Sequence, residues 1–220
     1  MCRDYERRRA MGDYYAGFSE TKIRIVSPPR HRAPNLEPQA DINPTDPAPI
    51  FRMTEKGDGM EMITARWWFV PETYSGTFKD FPKKLTTFNA RSESAATSRT
   101  FKQAFQQRRC LIPADGWYEW TGDSYPKTKW RFSRKDGDWF CIAGLWSHFT
   151  ASDIGPTDTF TMLTKDADGT LANYHNRRPI ALARDGWERW MLDGDLGDVV
   201  SPQDIRADYV GGPQPAADLL

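Results

Sequence analysis

Three cysteines in 220 residues, Cys2, Cys110 and Cys141, are too few and too scattered for a disulfide framework. The chain has no C-x-x-C pair and only three histidines, so it lacks the clustered ligands of a zinc site, and neither metal nor cofactor is expected. No apolar run approaches the length of a membrane span. No apolar core of a secretory signal stands near the start. These absences lead us to expect a cytoplasmic protein in a reducing compartment, with no membrane partner. Net charge is absent too: 30 basic residues balance 30 acidic ones, which excludes a uniformly basic nucleic-acid coat.

The charge is nevertheless uneven. Residues 1–35 carry eight Lys/Arg against four acids, and residues 184–220 carry three Arg against eight acids. This allows a positive face on a neutral molecule, although a mixed solvated surface accounts for any single cluster equally well. With 39% hydrophobic and 27% charged residues the chain reads as globular. Nine Trp are many for this length, and most are expected to be core anchors, with a few left over as stacking platforms.

The pattern predicts a short helix over 4–16, a proline-rich loop over 27–49, and strands over 50–53 and 60–66 around the turn Lys56–Gly59. Residues 71–88 read as irregular and Ser94–Arg108 as one helix. Strands follow at 109–113, 116–120, 129–133, 138–146 and 159–164, then a short helix at 168–175, a strand at 178–183 and a helix at 185–192. Strands that outnumber helices without regular alternation argue against a doubly wound sheet. The expected fold is α+β, a single domain dominated by antiparallel strands, barrel-like at its core, with flanking helices. It spans residues 1–195, and 196–220 form an irregular tail. A monomer is expected.

Cys2 carries the chemical argument. A small residue after the initiator Met favours removal of Met1, which leaves a cysteine with a free α-amine and a thiol on adjacent carbons. The reference pKa values are about 8 for the amine and about 8.5 for the thiol, so both have reactive fractions near neutrality. The amine attacks an aldehyde to give a Schiff base, and the thiol closes on the imine carbon to give a thiazolidine. An internal cysteine cannot make that ring. On position alone, the commoner role of such a cysteine is that of a small buried hydrophobe.

Three stretches shift the balance. They are Thr87-Phe88-Asn89-Ala90-Arg91-Ser92-Glu93-Ser94, Ile112-Pro113-Ala114-Asp115-Gly116-Trp117-Tyr118-Glu119-Trp120 and Ala172-Asn173-Tyr174-His175-Asn176-Arg177-Arg178-Pro179. With Met-Cys at the start, their order and spacing resemble the SOS response-associated peptidase (SRAP) family of abasic-site processing proteins. The resemblance covers about residues 2 to 192. Weaker matches lie at Ile42–Thr45, Arg66–Pro71, Ala95–Lys102 and Phe160–Thr164.

The resemblance implies a sensor of abasic sites in single-stranded DNA that crosslinks itself to the opened sugar. Peptidase-like self-release, a hydrolase activity, and abasic-site lyase activity are implied with it. Cys2 is implied as the nucleophile. Asn89 is implied to orient the amine or the sugar, Glu119 to shuttle protons, and His175 to contact the sugar or its phosphate. Implied DNA contacts are Arg91, Arg99 and Arg177 at phosphates, Trp67 and Trp68 at bases, and Pro44 in the neighbouring loop. Without the resemblance, Glu119 reads as an outward strand residue and His175 as a helix-terminal residue favoured by the dipole.

The sequence departs from the family pattern in places. Met-Cys-Arg-Asp stands for Met-Cys-Gly-Arg, so Asp4 is expected to repel phosphate. Trp68 stands where Gly is usual, the loop Ala40–Pro44 is altered, and the characteristic C-terminal segment is missing or reduced to Arg206–Pro213. Two other classes compete: an N-terminal-nucleophile cysteine amidohydrolase using Cys2 as thiolate, and a non-catalytic single-stranded DNA-binding module.

Overall fold

The computed structural model describes residues 2–19, 21–26, 37–81, 85–197 and 199–214. Fourteen strands dominate them. In chain order they are β1 (Tyr5–Arg7), β2 (Ile25–Val26), β3 (Gln39–Ile42), β4 (Pro47–Met53), β5 (Met60–Trp67), β6 (Asn89–Arg91), β7 (Arg109–Ala114), β8 (Gly116–Thr121), β9 (Thr128–Arg134), β10 (Phe140–Ala151), β11 (Gly155–Asp166), β12 (Arg177–Pro179), β13 (Ala181–Leu182) and β14 (Ile205–Gly211). The helices are α1 (Met11–Phe18), α2 (Ser92–Ala95), α3 (Lys102–Gln107) and α4 (Arg184–Asp193).

One sheet closes on itself. β11 pairs β10, β10 pairs β7, β7 pairs β4 and β4 pairs β5, all antiparallel, and β5 returns to β11 through the parallel pairs Thr159–Arg66 and Phe160–Trp67. Closure removes the exposed strand edges that an open sheet must protect. The second sheet has the order β14-β9-β8-β1-β3. Apolar residues of both sheets meet in one core cluster around Trp67, Trp117, Ile112 and Phe160. No helix among the described residues is long and apolar enough to cross a membrane.

The expected antiparallel α+β fold is the one observed, with several local corrections. Within 4–16, residues Tyr5–Arg7 form a strand because they pair on one side with β8 and on the other with β3; the helix begins only at Met11. Of the proline-rich stretch 27–49, residues 27–36 lie outside the described residues. The remainder contributes β3 and the start of β4. Pro47 and Pro49 are tolerated there because β7 joins β4 only at Phe51 and Arg52, so the prolines sit where β4 has a single neighbour.

The single helix expected over 94–108 is two short pieces. Thr97 Oγ1 donates to the Ser94 carbonyl and Ser98 Oγ accepts from the Thr100 N–H, local bonds that compete with helix continuation. The segment 168–175 is a 3-10 turn, Gly169–Asn173. The strand expected over 178–183 is split between β12 and β13. α4 ends at Gly194, whose φ of 76° suits glycine, and its N–H donates to the Trp190 carbonyl.

Residues 205–211, expected to be irregular, form β14 along nearly the whole of β9. Ile205, Ala207 and Tyr209 alternate on one face. Ile205 and Ala207 join the core, and Tyr209 meets Trp130 edge to face. Residues 215–220 lie outside the described residues.

Six Trp are fully buried: Trp67, Trp117, Trp130, Trp139, Trp187 and Trp190. Trp67 is held on all sides, edge-on to Tyr5 and Phe88, stacked with Phe160, and with its indole N–H donating to the Phe88 carbonyl at 2.7 Å. Trp67→Ala should therefore destabilise the fold by about 3–5 kcal/mol, as for other buried aromatic truncations. Trp68→Ala, at a half-buried position, should cost less than half as much. Urea unfolding followed by far-UV circular dichroism checks both.

Candidate active site

Cys2 lies just ahead of β1. Tyr5 pairs with Trp117 and Glu6 with Gly116, and the Tyr118 N–H donates to the Asp4 carbonyl at 2.9 Å. Extending that antiparallel register brings residues 2–4 alongside Tyr118–Trp120. The Cys2 side chain is buried, and its Sγ–H donates to the Asp4 carbonyl at 3.4 Å. Burial, and then the charge of Glu119, push the thiol well above its ordinary pKa.

Asn89 arrives from the other sheet. β6 runs parallel to β11, pairing Asn89 with Met162, and this carries the Asn89 side chain to the terminal segment. Its Nδ2 donates to the Cys2 carbonyl at 2.7 Å. Its Oδ1 is buried and accepts no hydrogen bond. An orphaned buried acceptor is costly, which makes it a natural seat for a donor on a ligand or on the chain terminus.

Glu119 is on β8, on the same strand face as Trp117 and one step nearer the strand end. Although it reads as an outward residue in isolation, its carboxyl is buried. Burial raises it to about 7. His175 follows the 3-10 turn and is half-buried. Its Nδ1 accepts the Arg177 N–H at 2.9 Å, which leaves the proton of the neutral ring on Nε2. Burial lowers its pKa and so favours that neutral ring.

Two cavities meet at Arg3, the residue after Cys2. One, of about 420 Å³, is lined by Arg3, Glu119, Trp120, Lys127 and His175. The other, of about 290 Å³, is lined by Arg3, Asn43, Pro44, Trp68, Thr86 and Phe88. Trp68 inclines toward Phe88 with ring centroids 5.0 Å apart and donates its indole N–H to the Leu85 carbonyl. A larger cavity of about 580 Å³ touches none of these residues, and its Arg52 and Arg108 are already paired with Glu61 and Glu72. Among the described residues no His/Cys/Asp/Glu cluster could hold a metal.

The structure thus brings Cys2, Asn89, Glu119 and His175 to one region and places Trp68 and Pro44 on a cavity wall beside it. Arg91 and Arg99 are exposed. Two residues expected at DNA, Trp67 and Arg177, are instead enclosed within the protein. Trp67 is fully buried and offers no surface to a base. Arg177 is an internal tie: its guanidinium meets both carboxylate oxygens of Glu93 at 2.9 Å, Asp166 at 2.5 Å and the Thr164 carbonyl at 2.7 Å, binding β12 to β11 and α2. A phosphate would have to displace these acceptors.

Asp4 is also unlike its expectation. Its side chain is buried against Lys129 Nζ at 2.6 Å, and burial raises its carboxyl to about 7, so it does not face the solvent as a phosphate-repelling charge. Sequence reasoning missed Lys127 and Trp120. No sequence signal marks Trp120: alternation puts it on the face opposite Trp117 and Glu119, and it lines the cavity from a position near the end of β8.

The family described as SOS response associated peptidase (SRAP) matches residues 1–207. "Abasic site processing protein YedK" of Escherichia coli is 28% identical over 192 residues, 87% of this chain and 79% of that protein. "Abasic site processing protein YoaM" of Bacillus subtilis is 27% identical over 178 residues, 80% of this chain and 73% of that protein. A crystal structure of a Bordetella bronchiseptica protein superposes with a TM-score of 0.72 at 26% identity, covering 96% of this chain and 100% of the other. A Bacteroides thetaiotaomicron protein gives a TM-score of 0.76 at 18% identity, covering 96% and 92%, and so shares the fold.

Two outcomes follow from the site's burial. Because the folded-state pKa of Glu119 lies above its unfolded value, the group favours folding most below the unfolded pKa, and that contribution is lost as pH rises through about 7. Wild type should therefore lose stability relative to Glu119→Gln between pH 5 and pH 8, which paired urea titrations measure. Arg177→Ala leaves the carboxylates of Glu93 and Asp166 to solvent but removes the buried hydrogen bond to the Thr164 carbonyl, and should cost about 1–3 kcal/mol in the same assay.

Proposed function

The chain belongs to the SOS response associated peptidase family, and from that premise we propose that it processes abasic sites in single-stranded DNA, bonding covalently to the opened sugar through the terminal aminothiol of Cys2. One observation carries the reading most directly. The backbone of Cys2 is fixed by Asn89, with Glu119 and His175 lining the adjoining cavity. The names of the relatives, which process abasic sites, support the substrate class.

With Met1 removed, the α-amine of Cys2 attacks C1′ of the ring-opened sugar. A carbinolamine forms, and loss of its hydroxyl as water gives the imine. A carboxyl that titrates near 7 can both give and take a proton at neutral pH, and Glu119 has that property. The Cys2 Sγ then adds to the imine carbon while the thiol proton passes to nitrogen. The net change is one C–N and one C–S bond formed, with the carbonyl oxygen leaving as one water. His175, neutral with its proton on Nε2, is suited to donate to the opened sugar's hydroxyl or phosphate. The orphaned Asn89 Oδ1 is suited to accept from the amine.

The same imine permits lyase chemistry: removal of a C2′ proton sends its electrons to expel the 3′-phosphate. Ring closure by sulfur removes the imine and competes with that step. The amidohydrolase alternative needs a thiolate before any substrate bond forms, and the burial that raises the Cys2 thiol opposes it. The pure binding module leaves the buried Glu119 carboxyl and its companions without a role.

Incubating Met-trimmed protein with an abasic oligonucleotide should give a shifted band on a denaturing gel without added reductant. Cys2→Ala should abolish the band, and Glu119→Gln should slow its appearance by ~100-fold or more. An undiminished band from Cys2→Ala would overturn the reading, and intact mass establishes beforehand that Met1 is gone.

A further inference from the structure

Arg3 lines both cavities beside Cys2, and no other described residue does so. Its neighbours Cys2 and Asp4 turn inward, while Arg3 turns out to solvent, its guanidinium 5.7 Å from the centre of the Phe88 ring. Across the charged cavity stands Lys127, exposed on the segment that joins β8 to β9 and lining the same cavity as His175. Neither cation is paired with a carboxylate among the described residues. The more enclosed cations Arg52, Lys129, Arg131, Arg177 and Arg178 are by contrast each matched by an acid.

The two cavities differ in kind. Trp68 and Phe88 give one an aromatic wall suited to a base. Glu119 and His175 give the other the groups that an opened sugar requires. A strand with its base in the first and its baseless sugar in the second must carry a phosphodiester across the partition, where Arg3 stands. A guanidinium offers a planar fork of donors to phosphate oxygens, and an ammonium a compact point charge.

We infer that Arg3 and Lys127 form a two-cation phosphate seat, Arg3 holding the phosphodiester between the aromatic cavity and the sugar cavity and Lys127 the phosphodiester on the far side of the abasic sugar. This rests on the DNA reading above and assigns it a binding register.

The test uses a fluorescent single-stranded oligonucleotide bearing one tetrahydrofuran residue, an abasic analogue without an aldehyde and therefore unable to bond. Anisotropy titrations at several salt concentrations give the slope of log affinity against log salt. Arg3→Gln and Lys127→Gln should each make the slope shallower by about 0.7, and the double variant by about 1.4. Lys135→Gln, in the β9–β10 turn and on neither cavity, should leave it unchanged. An unaltered slope in the double variant, or an equal fall in Lys135→Gln, overturns the seat. Crosslinking of wild type to an aldehydic oligonucleotide is scored separately. If it fails while the slopes fall as expected, the covalent chemistry is wrong and the phosphate seat stands.

Discussion

A single hydrogen bond, from the Asn89 carboxamide to the carbonyl of Cys2, decides whether the terminal aminothiol has a fixed address. Chain termini fray unless something holds them, and a frayed Cys2 would meet an aldehyde no more often than free cysteine does. Both sheets contribute to the hold. The β1–β8 pairing delivers the terminal segment, and the β6–β11 pairing delivers Asn89 from the barrel. The Asp4 carbonyl adds a second anchor by accepting from both the Tyr118 N–H and the Cys2 thiol, and Lys129 secures the Asp4 side chain. The barrel's closure between β5 and β11 is thus the remote condition for the geometry at Cys2.

In the proposed chemistry, burial bears on the order of events. The same low-polarity surroundings raise the thiol, raise Glu119 to about 7 and lower His175, so every group is biased toward its neutral form. A neutral thiol and a half-ionised carboxyl suit condensation of the amine first and ring closure by sulfur second. An isolated thiolate nucleophile would need the opposite surroundings, a nearby cation or helix N-terminus that favours its charge. Arg177 shows the corresponding logic for cations: paired with Glu93 and Asp166, it holds the start of β12, just beyond His175.

Much of this was legible in the sequence, for identifiable reasons. The long strands β7 to β11 carry dense apolar and aromatic patterns, and motifs around Cys2, Asn89, Glu119 and His175 keep chemistry-bearing residues at the edges of those patterns. The errors arose where tertiary partners override local signals. Pro47 and Pro49 look like loop until the absence of a second neighbour beside them is known. Trp67 and Trp68 are indistinguishable in sequence, yet strand alternation buries one and leaves the other half-open. Arg177 looks like a phosphate ligand until Glu93, far away in the chain, closes on it. In β14 the alternation of Ile205, Ala207 and Tyr209 was present but diluted by Arg206 and Asp208.

The central claim is that nitrogen and sulfur of Cys2 both end on the same sugar carbon. Digesting the purified DNA–protein adduct and treating it with iodoacetamide addresses this directly by mass spectrometry of the terminal peptide. The account predicts a peptide heavier by the sugar fragment less one water, with Cys2 resistant to alkylation because its sulfur is in the ring. A terminal peptide that carries the fragment and still takes up the alkylating group, or a fragment found on a lysine instead, would contradict it.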